Sequence, residues 1–121
     1  MHELSIAHSL VDLVTEHADA HGAPSVARIT LRVGALSCVH KQSLDFSFDL
    51  AKEGTTLRDA TLHYIDVPVA VYCEGCDIVV EPAQPHSFRC PVCGVASGDV
   101  VRGKELDIET IEFGVSQSVE A

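Results

Sequence analysis

The chain holds four cysteines in two close pairs, "CEGC" at Cys73 and Cys76 and "CPVCG" at Cys90 and Cys93, with thirteen residues between the pairs. No other feature restricts its fold as strongly. Two residues between cysteines let both thiolates turn onto one ion while backbone N–H groups support the sulfurs. The spacer lets the second pair close a tetrahedron, and four sulfurs with no open position describe a structural zinc site. The surrounding stretch, about residues 69–103, has few apolar residues of its own and needs such a staple.

Two other uses of this motif remain open at this point. Iron would make the insert a rubredoxin-like redox module, but such a module packs aromatics around its iron, and the insert offers only Tyr72 and Phe88. A zinc ribbon can also bind nucleic acid. Charge counts against that: 18 acids face 8 bases, for a formal net charge of −10, and a phosphate-binding surface needs Lys and Arg. Four thiolates around one dication leave the chain more acidic still.

The fifth cysteine, Cys38 in "GALSCVH", stands apart and reads as a small buried thiol just after a strand. An odd count with four cysteines in close pairs favours metal over disulfides in a cytosolic chain. The cytoplasm is the expected compartment. No stretch approaches the roughly 20 apolar residues of a membrane span, and the first residues carry acids and histidines where a secretory signal needs a basic region.

Periodicity supplies the rest of the fold. Leu4, Ala7, Leu10, Val11, Val14 and Ala18 recur at three and four, which predicts a helix over 3–21 stopped by Gly22 and Pro24. "ARITLRVG" alternates, with Ile29, Leu31 and Val33 on one face, and predicts a half-buried strand ending at Gly34. "SLDFSFDLAKEGT" predicts a second helix with Ser43 as N-cap, a stripe of Leu44, Phe48 and Ala51, and a stop at Gly54. "ATLHYIDVPVAVYC" alternates again, with Pro68 marking an exit or an edge. In "KELDIETIEFG" the parity of Leu106 and Ile108 differs from that of Ile111 and Phe113, so a bulge or twist is expected near Glu109 or Thr110. The expected fold is α+β: a three-stranded sheet covered by two helices, with an inserted zinc-ribbon-like domain. Its divisions are 1–68 with 104–115 for the main domain, 69–103 for the insert, and a flexible tail at 116–121.

The start, "MHEL", is itself a candidate site. The first N–H groups of a helix have no intrahelical partner, and the helix dipole leaves them partly positive. An ion bound by the Met1 amine and the His2 amide nitrogen closes a five-membered ring. His2 Nδ1 with that same amide closes a six-membered one. Such planar nitrogen donors suit Ni²⁺ or Cu²⁺. The fourth donor is open between the Glu3 amide, the Glu3 carboxylate and a remote group. The bulky His2 side chain is expected to leave Met1 unprocessed.

Together, "MHELSIAHSLV", "HGA", "RITLRVGALSCV", "LDFSFDLAKEGT", "CEGC…CPVCG" and "GKELDIETIEF" resemble the HypA/HybF family of hydrogenase nickel-incorporation metallochaperones, in order and over nearly the whole chain. The resemblance implies a nickel-binding α+β domain with a zinc domain inserted before its last strand. His2 would bind nickel with support from the Met1 amine and Glu3, while Cys73, Cys76, Cys90 and Cys93 would hold zinc. It implies a carrier and not an enzyme, active in maturation of the nickel–iron hydrogenase. The expected partners are a maturation GTPase, the hydrogenase large-subunit precursor and, in some organisms, urease accessory proteins. Nucleic acid and membranes are not expected partners, and the expected state is a monomer or weak homodimer. His40 is a departure, at a position where many relatives are expected to be acidic; it could add a donor or alter how nickel is held. His8, His17, His21, His63 and His86 read as solvated or satisfied, with His8 two turns from His2.

Overall fold

In the computed structural model, residues 2–84 and 86–114 are described, with His2 described for its backbone alone. The Met1 amine, the His2 side chain and the expected tail at 116–121 lie outside the described residues. The elements are α1 (His2–Ala20), β1 (Val26–Gly34), α2 (Lys41–Ala51), β2 (Thr61–Val67), β3 (Ala70–Cys73), β4 (Ile78–Val80), β5 (Val100–Arg102) and β6 (Leu106–Phe113). They form an α+β fold with two three-stranded sheets, ordered β2-β1-β6 and β4-β3-β5. By packing, the chain divides into two compact units. One comprises the chain up to Leu31, Val39–His63 and the chain from Ile108 onward; the other comprises Arg32–Cys38 and Tyr64–Asp107.

In the first unit the helical stripe of α1 is buried at Ala7, Leu10, Val11, Val14 and Ala18, whereas Leu4 remains exposed. α1 and α2 pack together, and Leu44 and Phe48 of α2, Val26, Ile29 and Leu31 of β1, Leu57 and Ala60 complete the buried apolar set. α1 closes with paired bonds at its C-terminus. The Ala23 N–H donates to the Ala18 carbonyl at 2.8 Å and the Gly22 N–H to the Asp19 carbonyl at 3.1 Å. This is a Schellman motif, and it needs the left-handed φ of +67° that Gly22 adopts.

α2 begins earlier than its sequence suggests. Its N-cap is His40, in extended conformation with no side-chain cap, and Ser43 lies inside the first turn. Along β6 burial switches parity at Glu109 and Thr110, which are consecutively exposed, as the hydrophobic pattern required. Among the described residues no helix is long and apolar enough to cross a membrane.

In the second unit Pro68 separates β2 from β3, and the run read as one strand serves two sheets. β3 pairs antiparallel with β4, setting Cys73 opposite Ile78, and antiparallel with β5. Val69, Val71, Cys73, Val80 and Cys90 form the small core, with Leu36, Phe88 and Val100 against it. Two of the five buried members are therefore cysteines, so the core is built around the knuckles. Gly34 meets the Gly103 backbone so closely that a β-carbon there would lie 2.2 Å from the Gly103 carbonyl carbon. Cys38 departs from expectation. It is exposed, because the chain leaves the sheet at Gly34 and passes Cys38 with a positive φ of 64°. Its thiol turns back 3.6 Å from the Leu36 carbonyl and does not enter the core.

Candidate metal centre

The fold gathers Cys73, Cys76, Cys90 and Cys93 so that their sulfurs all lie within 4.8 Å of one another. Cys73 ends β3, Cys76 follows in the turn to β4, and Cys90 and Cys93 flank the second knuckle. Cys73 and Cys90 are buried, Cys76 is half-buried and Cys93 is exposed. Sγ–Sγ separations are 3.5 Å for Cys73 and Cys93 and 3.9 Å for Cys76 and Cys90. A tetrahedral ion with metal–sulfur bonds near 2.3 Å sets sulfurs about 3.8 Å apart. The same separations are far too long for a disulfide, whose S–S bond is about 2.05 Å. The donor set therefore fits a structural metal such as zinc.

The second knuckle carries its own support for negative sulfur. Pro91 has no N–H, and the next two amides, of Val92 and Cys93, donate to Cys90 Sγ at 3.4 and 3.5 Å. The Cys93 N–H, with that of Val92, brings the Cys90 thiol down to about 7. Cys76 moves oppositely, to about 12, because it hydrogen-bonds the Cys93 thiol and is desolvated. One sulfur is thus disposed to be a thiolate near neutrality while its neighbour resists ionising beside it. A bound dication removes that conflict and expels the protons. The second knuckle is locked by the Gly94 N–H donating to the Cys90 carbonyl at 2.8 Å and the Cys90 N–H to the Val95 carbonyl at 3.0 Å. The two aromatics of the insert do not enclose the sulfurs together. Phe88 packs on the core, while the Tyr72 hydroxyl donates to the Asp77 carboxylate.

At the other candidate site, α1 starts at His2, so no earlier helical carbonyl can accept from its first backbone N–H groups. The Glu3 carboxylate accepts from the His40 N–H at 3.2 Å, and this bond holds its pKa below the usual carboxylate value. The contribution of His40 here is its backbone, which spacing alone did not indicate. Glu3, Leu4, Gln42, Ser43, Phe46 and Ser47 line an open groove of about 410 Å³ beside this turn. His8 and His86 are exposed, and His63 Nε2 lies 3.2 Å from Thr61 Oγ1.

A family model described as hydrogenase/urease nickel incorporation, metallochaperone, hypA, matches residues 1–113. The chain belongs to the HypA family. Similar proteins include the hydrogenase maturation factor HypA of Roseiflexus sp. (strain RS-1), 46% identical over 93% of this chain and 92% of the relative. The hydrogenase maturation factor HybF of Salmonella typhimurium (strain LT2) is 37% identical over 90% of this chain and 100% of its own. Among solved structures, that of the Ni metallochaperone HypA from Helicobacter pylori superposes with a TM-score of 0.67 at 26% identity, covering 92% of this chain and 96% of that one. A second HypA solution structure gives 0.70 at 28% identity, over 93% and 96%. HypA-family proteins are metallochaperone maturation factors that handle nickel, and membership implies interaction with the hydrogenase maturation machinery.

Proposed function

We propose that this HypA-family chain is a nickel carrier without catalytic activity, taking Ni²⁺ at its N-terminus and passing it into the nickel–iron hydrogenase large subunit by ligand exchange. The observation that supports it most directly is the start of α1 at His2, which puts backbone amides that no earlier helical carbonyl accepts from beside the chain's first residue. With Met1 as the free amino end, its amine, the His2 amide and His2 Nδ1 form fused chelate rings. The Glu3 carboxylate is engaged by the His40 N–H and anchors the turn beside these donors. A terminal site without a buried cage releases its ion readily.

Zinc at Cys73, Cys76, Cys90 and Cys93 is structural in this reading. We assign nickel binding to residues 1–68 and 104–115 and zinc binding to 69–103. The partners are the maturation GTPase and the hydrogenase large-subunit precursor, and urease accessory proteins where urease is a client. The chain works in the cytoplasm as a monomer or weak homodimer, without nucleic acid or membrane.

A Gly-Ser extension before Met1 tests this. It converts the amine to an amide and removes one ring. Nickel binding and hydrogenase maturation should fail as completely as in His2→Ala, with thermal stability unchanged and a C-terminal tag harmless. An extended protein that binds nickel as tightly as the native one would overturn the N-terminal site.

A further inference from the structure

His17 and His21 stand one turn apart at the C-terminal end of α1, both exposed. The His21 N–H still donates to the His17 carbonyl at 3.2 Å, so the pair keeps helical i,i+4 geometry, with β-carbons about 5–6 Å apart on one face. The Schellman closure formed by Gly22 and Ala23 follows directly and holds this last turn.

The His21 ring is oriented twice over. Its Nδ1 lies 2.8 Å from the His17 carbonyl oxygen. A carbonyl only accepts, so Nδ1 carries a proton, and the neutral ring then has its lone pair on Nε2. The ring also packs on Phe113, with centroids 5.4 Å apart. One ring nitrogen donating to a backbone carbonyl, with the other left as a base, is how metal-bound histidines are held. The C-terminal end of the helix dipole also favours a cation here. About 22 Å of helix separate His17 from His2 at 1.5 Å per residue, so one ion cannot serve both ends.

We propose that His17 and His21 form a second, exchangeable site for a divalent cation, Ni²⁺ in this chain, with water completing the coordination. Imidazole suits Ni²⁺ and Zn²⁺ alike. Two donors hold the ion more loosely than fused chelate rings do, so the site fills after the terminal one.

Titrating untagged, zinc-loaded protein with Ni²⁺, by calorimetry and by paramagnetic broadening of imidazole resonances, tests the proposal. The native chain should take a second, weaker equivalent that broadens His17, His21 and Phe113. His17→Gln or His21→Gln should weaken it by at least about tenfold, and the double variant should lose it. His2→Ala should retain it. If only the terminal reading is wrong, the Gly-Ser extension leaves nickel binding unchanged while the double variant still loses an equivalent. The proposal is overturned if the double variant matches the native protein in nickel number and affinity, or if broadening is confined to His2.

Discussion

The carboxylate of Glu3 in α1 accepts a hydrogen bond from the backbone N–H of His40, the N-cap residue of α2, at 3.2 Å across 37 positions of sequence. In a capping box, a Glu three residues into a helix reaches back to the N-cap N–H. Here Ser43 occupies that third position, and Glu3 from the other helix makes the bond. The first turn of α1 is thereby tied to the start of α2.

Removing the acceptor should loosen both ends. Glu3→Ala should speed hydrogen exchange of the His40 amide and lower nickel affinity, whereas Glu3→Gln keeps an acceptor and should retain most protection. The pH dependence has a definite sign. The folded carboxyl titrates below its unfolded value, near 4.3, so the tie is fully present above that pH and is lost as pH falls through the folded value. Glu105, held down by the Gly103 N–H at 2.8 Å, should behave likewise. Protection of the His40 and Gly103 amides that persists unchanged after both carboxyls are protonated would contradict this.

Acid should strip nickel well before it reaches those carboxylates. An imidazole near 6.5 and an α-amine near 8 compete with the metal for protons around neutrality. Zinc, held by four thiolates in a closed site, should outlast it. Metal analysis of fractions dialysed at stepwise lower pH reads the order directly, and zinc leaving at a higher pH than nickel refutes it.

Cys73→Ala or Cys90→Ala should release zinc and melt the insert. Each cysteine is both a sulfur donor and part of a core of five buried residues, too small to offset chain entropy alone. The protein should carry about one colourless zinc before substitution, where ferric tetrathiolate would be red. Helical circular dichroism should survive. Full zinc retention with unchanged exchange protection across the insert would sink this claim.

Two phenylalanines on α2 should separate cleanly. Phe48 is 2% exposed and Phe46 is 67% exposed. Phe48→Ala should cost about 3–5 kcal/mol in denaturant unfolding. Phe46→Ala should stay within about 0.5 kcal/mol, and any nickel or partner phenotype it shows is then a surface effect.

Sequence by itself determined the elements whose signal is local. α1 follows from apolar spacing and closes at Gly22, β1 from alternation, the parity switch in β6 from Leu106 and Ile108 set against Ile111 and Phe113, and the knuckles from C-x2-C. In each case one face must leave water or two thiolates must reach one ion, and those demands act within a few residues. Only tertiary structure decided what joins distant segments. It set the N-cap of α2 at His40, three residues before Ser43, and brought Glu3 to accept from the His40 N–H. It split "ATLHYIDVPVAVYC" at Pro68 between two sheets, since alternation fixes a strand's faces and not its partners. It turned Cys38 outward through a positive φ, and it brought Phe113 against the His21 ring. Those outcomes depend on where the chain returns in space, and residue spacing encodes burial without encoding that return.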